Sequence, residues 1–273
     1  MITSALSEAE YIAVQSFLEK TCGIVLGSGK EYLVTSRLSH LLKKYELGSY
    51  RELLNELQKH NHSQLKTDVI DSMTTNETFW FRDAAHFKIL KETIYPAFKN
   101  KRLKLWSAAC SSGQEPYSIS MSVFDYKSEH ADDRFDVDIT ATDISHTILN
   151  EAKRGIYSGL SASRGVDRSS ISRYFNRLQD NIEVKAEIKR RLTFKEINLT
   201  QSYSSLGMFD VIFCRNVLIY FSSEMKFDII QRLAQSLNPD GYLFIGSTEA
   251  PPGLKDFFKM TALNGGIVYQ KLR

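Results

Sequence analysis

The chain has 273 residues, with 35 Lys and Arg against 32 Asp and Glu, a net charge of +3, 42% hydrophobic and 25% charged residues. This is ordinary for a folded globular protein, too weakly basic to argue for nucleic acid on charge alone, and long enough for one large domain or a small one beside a medium one. No apolar run approaches the ~18 residues of a membrane helix, and the opening MITSALSEAEY lacks a basic region followed by an apolar core, so neither a membrane insertion nor a signal peptide is expected. Cys22, Cys110 and Cys214 lie far apart without metal spacing, which fits a reducing, cytosolic setting and gives no metal site.

Residues 1–75 read as helices. Ser7 with Glu10 three positions on is a capping-box signature, and Tyr11, Val14, Phe17 and Leu18 then share one face. Gly27-Ser28-Gly29 breaks the chain. Leu33, Leu38, Leu41 and Leu42 mark a second helix, whose other face carries Lys30, Arg37, Lys43 and Lys44. Gly48-Ser49 opens a third helix with Tyr50, Leu53, Leu54 and Leu57 apolar, and a fourth is expected over 65–73.

From about residue 100 the pattern becomes alternating strands and helices. Strands are expected over 103–106, 135–141, 192–196, 209–213, 242–246 and 266–271, and helices over 115–126, 145–153 and 223–237. Short strands alternating with helices argue for a mostly parallel, doubly wound sheet, which binds ligands beyond the carboxyl ends of its strands. Residues 155–195 break the rhythm and suggest a small insertion with a short hairpin.

The predicted strand ends are polar and would converge. Trp106-Ser-Ala-Ala-Cys-Ser-Ser-Gly113-Gln-Glu115-Pro is a strand running into small residues, a glycine and an acid at a helix start. It lacks GxGxxG and GxxxxGK[ST], which makes a dinucleotide or P-loop reading poor. Glu115 would repel a pyrophosphate and attract a cation, and S-adenosylmethionine carries a sulfonium and an ammonium. Glu115 also reads as an ordinary first-turn helix acid. Asp143 reads either as an acceptor for ribose hydroxyls or as the N-cap of the next helix. Asn216 suits an adenine edge or its own turn, and Tyr220 a reacting centre or the core. The stretch 74–83, TTNETFWFRD, sets polar residues beside three aromatics; an interdomain hinge explains Phe79 and Trp80 but not Arg82, because arginine is seldom buried without a partner.

The segments NETFWFRD, LWSAACSSGQEPYSIS, ATDIS, CRNVLIYF and GYLFIGSTE, in this order over nearly the whole chain, resemble the successive motifs of the CheR family. The resemblance implies an α/β fold: a Rossmann-like S-adenosylmethionine methyltransferase sheet with a helical N-terminal domain and a small β subdomain. The corresponding divisions are 1–75, helical and receptor-facing; 76–100, a linker and helix contributing to the cofactor site; and 101–273, the methyltransferase domain with its insertion at about 155–195. The implied activity is methylation of glutamate side chains on the cytoplasmic helical bundle of methyl-accepting chemotaxis receptors, by a cytoplasmic enzyme recruited to receptor arrays, with S-adenosylhomocysteine as the second product. Cofactor contacts are implied for Asn76, Thr78, Arg82, Glu115, Asp143, Asn198, Leu199, Asn216 and Val217. Arg82 and Tyr220 would lie closest to the transferred methyl, and the basic helix with Arg37, Lys43 and Lys44 would face the receptor. Gln114 stands where the family often has Glu. Some members grip a tethering peptide with a glycine-bearing hairpin loop; the loop Arg177-Leu-Gln-Asp-Asn181 is shorter and lacks glycine, so no receptor-tail tether is expected.

The chemistry agrees. A glutamate carboxylate, with a pKa of about 4.3, is already a nucleophile at pH 7, so the lack of an obvious catalytic His or Cys is no objection. Arg82 could orient either the incoming carboxylate or the cofactor's own. A nucleic-acid N-methyltransferase would carry an Asp/Asn-Pro-Pro-aromatic turn where this chain has Arg215-Asn216-Val217-Leu218. The remaining alternative is a non-catalytic S-adenosylmethionine-binding signalling module, which would not require the shaped methyl pocket that Arg82 and Tyr220 suggest.

Overall fold

A computed structural model describes residues 6–59 and 62–273, without the side chains of Arg168 and Ser169. Residues 1–5 of the expected helical domain lie outside the described residues. Four helices come first: α1 (Glu8–Cys22), α2 (Glu31–Lys44), α3 (Tyr50–Gln58) and α4 (Ser63–Met73). The Ser7–Glu10 capping box is formed, and Gly23 ends α1 at φ 75°. Tyr11, Val14, Leu18, Leu38, Leu42, Leu53 and Val69 bury one shared core. Ile144, from the sheet domain, packs against that core, so the two parts meet directly.

An extended segment then leads into the helical turns Ala84–Ile89, Leu90–Ile94 and Tyr95–Ala97. The sheet domain follows as β1 (Arg102–Ala108), α5 (Gln114–Glu129), β2 (Asp136–Asp143) and α6 (His146–Arg154). The inserted strands are β3 (Ile156–Ser158), β4 (Phe175–Leu178) and β5 (Asn181–Val184). The chain returns as β6 (Leu192–Glu196), β7 (Phe209–Cys214), α7 (Ser223–Gln235), β8 (Leu237–Phe244), β9 (Phe258–Leu263) and β10 (Gly266–Lys271).

The main sheet runs β6-β2-β1-β7-β8-β10-β9. It is parallel from β6 to β8, and β10 is antiparallel to both neighbours. Strand order reverses at β1, with β2 on one side and β7 on the other. The crevice beyond the carboxyl ends of β1, β2 and β7 is therefore the switch point, where such sheets bind ligands. Apolar cores cover both faces: Trp106, Ile212, Ile229 and Leu233 on one, Leu105, Ile119, Phe213 and Phe244 on the other.

Three expectations need correction. The insertion holds the expected short hairpin, β4–β5, but adds β3 to it in a three-stranded antiparallel sheet, β3-β5-β4, and it ends before β6, which lies in the main sheet. Strand β8 begins at Leu237 rather than at 242, because Asn238-Pro-Asp-Gly241 looks like a turn but forms an irregularity in the register against β7. Strand β9 was not expected; it is an edge strand whose side chains are mostly exposed or half-buried, so it leaves no apolar alternation to read.

Candidate active site

The loop after β1 is built from left-handed residues: Ala109 (φ 55°), Ser111 (φ 51°) and Gly113 (φ 93°). At Gly113 a Cβ would stand 3.0 Å from the Ala152 Cβ and 3.2 Å from the Tyr157 hydroxyl, so glycine is needed for close packing as well as for φ. The Cys110 amide donates to the Thr142 carbonyl at 2.8 Å, which ties this loop to the end of β2.

Asp143, at that end, is only 6% exposed. Its carboxylate accepts from the Ser111 amide at 2.8 Å and the Ser145 amide at 3.0 Å. The N-cap of α6 is Ser145, whose hydroxyl accepts from the Ile148 amide, so the capping reading of Asp143 does not hold. Burial raises the Asp143 carboxyl pKa above its ordinary value. Each oxygen keeps acceptor capacity for a ligand.

Glu115, in the first turn of α5, accepts from the Ser107 hydroxyl at 2.7 Å and from Arg215 Nη1 at 2.8 Å. Its negative charge is thus already met in part by a guanidinium. Arg215, just past β7, also donates through Nη2 to the Arg82 carbonyl at 2.7 Å and to Asp83 at 2.5 Å. One guanidinium between two carboxylates leaves this cluster at about −1, while Lys30, Arg37 and Arg82 add positive charge elsewhere on the cavity wall. In the sequence Arg215 shows only as part of the turn Arg215-Asn216-Val217-Leu218, because its acidic partners are far away in the chain and leave no local signal.

Asn216 has a left-handed φ of 57°. The Glu249 carboxylate fixes this turn by accepting from the amides of Asn216, Leu218 and Gly246 at 2.7, 3.0 and 2.8 Å. The Asn216 Oδ1 atom is buried without a hydrogen-bond partner among the described residues. Glu249 ends the motif GYLFIGSTE, but no role for it can be read there, because that role shows only when strand β8 lies beside β7.

A cavity of about 310 Å³ joins these groups. Its walls include every expected cofactor residue (Asn76, Thr78, Arg82, Glu115, Asp143, Asn198, Leu199, Asn216 and Val217) together with Tyr220. Their states differ. The Asn198 side-chain amide donates to the Thr21 carbonyl at 2.8 Å and accepts from the Thr200 amide and hydroxyl, so it binds α1 to the sheet domain. Asn76 accepts at its carbonyl from the Ser111 hydroxyl at 2.9 Å. Arg82 is half-buried, makes one long hydrogen bond to the Glu77 carbonyl at 3.4 Å and forms no ion pair among the described residues.

The helical domain supplies the opposite wall through Cys22, Val25, Leu26, Lys30, Tyr32 and Arg37. Of the three residues expected to face a receptor, Arg37 turns inward and donates to the Met73 and Thr74 carbonyls and to the Thr75 hydroxyl. Lys44 pairs with Asp68, and Lys43 is exposed; neither lines the cavity. Nothing local in the sequence marks Cys22, Val25, Leu26 or Tyr32 as wall residues, since no local signal says that the end of α1 covers the sheet. Burial keeps the Cys22 thiol protonated, pushing it up to about 11, and raises Cys110 likewise, so both line the cavity as inert thiols. No group of three or more His, Cys, Asp or Glu that could hold a metal occurs among the described residues.

Comparison with known proteins decides the family. The description "CheR methyltransferase, all-alpha domain" matches residues 9–74, and "CheR methyltransferase, SAM binding domain" matches residues 76–267. The chain belongs to the CheR methyltransferase family. Chemotaxis protein methyltransferase Cher2 of Pseudomonas putida is 45% identical over 260 residues, 93% of this chain and 94% of that protein. The chemotaxis protein methyltransferase of Vibrio anguillarum is 45% identical over 273 residues, 99% of each chain. Chemotaxis protein methyltransferase 1 of Pseudomonas aeruginosa is 45% identical over 270 residues, 97% of this chain and 98% of that one.

This CheR family member is thus a methyltransferase with S-adenosylmethionine as its cofactor. The residues present fit that molecule. A cationic group of the cofactor suits the Glu115 carboxylate, its ribose diol suits the spare acceptor capacity of Asp143, and an adenine amino group would satisfy the orphaned Asn216 oxygen. Arg82 is the guanidinium left available to a carboxylate. No helix among the described residues is long and apolar enough to cross a membrane.

Proposed function

We propose that this protein methylates glutamate side-chain carboxylates on the cytoplasmic helical bundle of methyl-accepting chemotaxis receptors, forming methyl esters. One observation carries the choice of acceptor: among the described residues the cavity is lined by no histidine and by no thiol able to ionise near neutral pH, and its carboxylates are already engaged, Glu77 by Arg164, Glu115 by Arg215 and Asp143 by two backbone amides, so no free general base faces it. An amine acceptor must lose a proton before it can attack, whereas a glutamate is ionised already at pH 7, with a pKa of about 4.3.

When bound, S-adenosylmethionine supplies an electrophilic methyl on a sulfonium. The chain's own groups position and shield. Glu115 and Asp143 orient the cofactor by its cationic and ribose ends, Asn216 and Val217 by its base, and Asn76, Thr78, Asn198 and Leu199 form the walls around it. Arg82 orients a carboxylate at the reacting end, and Tyr220 shapes the methyl pocket beside it. The Tyr220 carbonyl accepts from the Val25 amide at 2.9 Å, so the helical domain helps to close this end against water. Positioning of this kind can contribute roughly 7–11 kcal/mol to lowering the barrier.

Docking falls to the helical domain, where Lys30 and Lys43 are exposed and would meet the acidic face of a receptor bundle. The turn between β4 and β5 has only Gln179 and Asp180 and no glycine, which supports docking without a receptor-tail tether. The enzyme would work in the cytoplasm at receptor arrays. Replacing the candidate receptor glutamates with glutamine tests the acceptor: label transfer to the fragment should be abolished, and undiminished transfer would refute the carboxylate assignment.

A further inference from the structure

Arg215 stands out because its side chain is 1% exposed and yet meets three acceptors on two separate segments of the site. Nη1 donates to Glu115, in the first turn of α5. Nη2 donates to the Asp83 carboxylate and to the backbone carbonyl of Arg82. We propose that Arg215 is a positioning residue, one guanidinium that sets both the cofactor carboxylate Glu115 and the backbone carrying Arg82, so that the two halves of the site hold one geometry. This rests on the roles given above to Glu115 and Arg82.

The backbone at Arg82 needs such a restraint. Phe81 and Asp83 flank it with φ of 50° and 59°, a region that non-glycine residues occupy only when the surroundings dictate it. The Phe81 amide donates to the Ser118 hydroxyl at 3.0 Å. The strained loop is thus fastened to α5 at two points, directly through Ser118 and through Arg215 to Glu115. Charge gives a second reason. Without the guanidinium, the carboxylates of Glu115 and Asp83 would face one another uncompensated, and the Arg82 carbonyl would lose its donor.

A lysine could supply the charge but not the planar fork that reaches three acceptors on two segments at once. Arg215→Lys therefore separates charge from geometry. The experiment is a set of double-mutant cycles on the full chain, read by calorimetric titration with S-adenosylhomocysteine, with thermal unfolding recorded for each variant. The cycles pair Arg215→Lys with Glu115→Gln and with Arg82→Ala. Each single change is expected to weaken binding about tenfold or more, and each double to add less than about threefold to the worse single, as for residues acting as one unit. Losses that multiply in both cycles, or wild-type affinity in Arg215→Lys, would overturn the proposal. Asp83→Asn removes one arm at a less buried position and keeps the test open if Arg215→Lys does not fold; it too must couple to Arg82→Ala. Because binding is the readout, a wrong methyl acceptor leaves these results intact, whereas a wild type that fails to bind would refute the cofactor site and this inference together.

Discussion

The Arg37 guanidinium donates to the Thr74 carbonyl at 2.9 Å, and so fastens helix α2 to the segment that carries Asn76, Thr78 and Arg82. Further bonds to the Met73 carbonyl and the Thr75 hydroxyl complete the clasp. Charge at this position would be expected, from sequence, to serve a receptor alone. The clasp predicts instead that Arg37→Glu weakens S-adenosylhomocysteine binding by about tenfold, roughly 1.4 kcal/mol, along with methyl transfer. Calorimetry decides it: an unchanged dissociation constant beside reduced receptor methylation would return Arg37 to a purely receptor-facing role.

Asp143→Ala should weaken cofactor binding by roughly 1.5–3 kcal/mol, because a buried carboxylate hydrogen bond is lost and the Ser111 amide is left without its acceptor. Acceptance from two amides and a ligand requires the ionised form, which burial makes harder to reach. Cofactor affinity should therefore fall on acidification, starting at a higher pH than for an ordinary aspartate. Binding titrations across the acid range test this, and a profile that Asp143→Asn leaves unaltered would contradict it.

His86 is buried beside Phe244, and burial, with the nearby Arg215 charge, lowers its pKa to about 4 from the usual 6.5. The unfolded chain then binds more protons than the folded one between those values. Stability from this group is complete above about pH 6.5 and is lost as pH falls towards 4, by roughly 3 kcal/mol in all. Urea midpoints at pH 7.5 and pH 5 should show this decline in the wild type and a smaller one in His86→Phe. Equal declines in both would place the sensitivity elsewhere.

Gly165 seats the small β subdomain against the active-site segment. Its φ is 95°, and a Cβ there would lie 2.1 Å from the Trp80 carbonyl oxygen. Trp80 in turn donates from Nε1 to the Ser161 carbonyl at 2.8 Å. Gly165→Ala should cost at least about 2 kcal/mol, from strain and overlap together. Denaturation followed by tryptophan fluorescence measures it; wild-type stability would mean that the contact is not needed.

Much of this fold could be read along the chain because its signals are local. The apolar strands before Gly113, Asp143 and Asn216 end in polar residues, and a doubly wound sheet brings such ends together. The two-carboxylate character of the site, Glu115 with Asp143, was visible for the same reason. The partners of those residues were not. Arg215 bridges Glu115 and Asp83, Asn198 reaches Thr21, and Arg37 reaches Thr74, all across distances at which no periodicity or spacing survives. A basic helix face likewise looks uniform in sequence, although its members diverge into an inward clasp at Arg37, an ion pair with Asp68 at Lys44 and an exposed Lys43.

The central claim is carboxyl methylation, and the most direct test is transfer of a labelled methyl group from S-adenosylmethionine to a receptor cytoplasmic fragment, followed by mild base. The account predicts label that is released as methanol, the behaviour of a methyl ester. Label that survives base would show a nitrogen or other acceptor and contradict it, as would bound cofactor without any transfer to a fragment that carries the methyl-accepting glutamates.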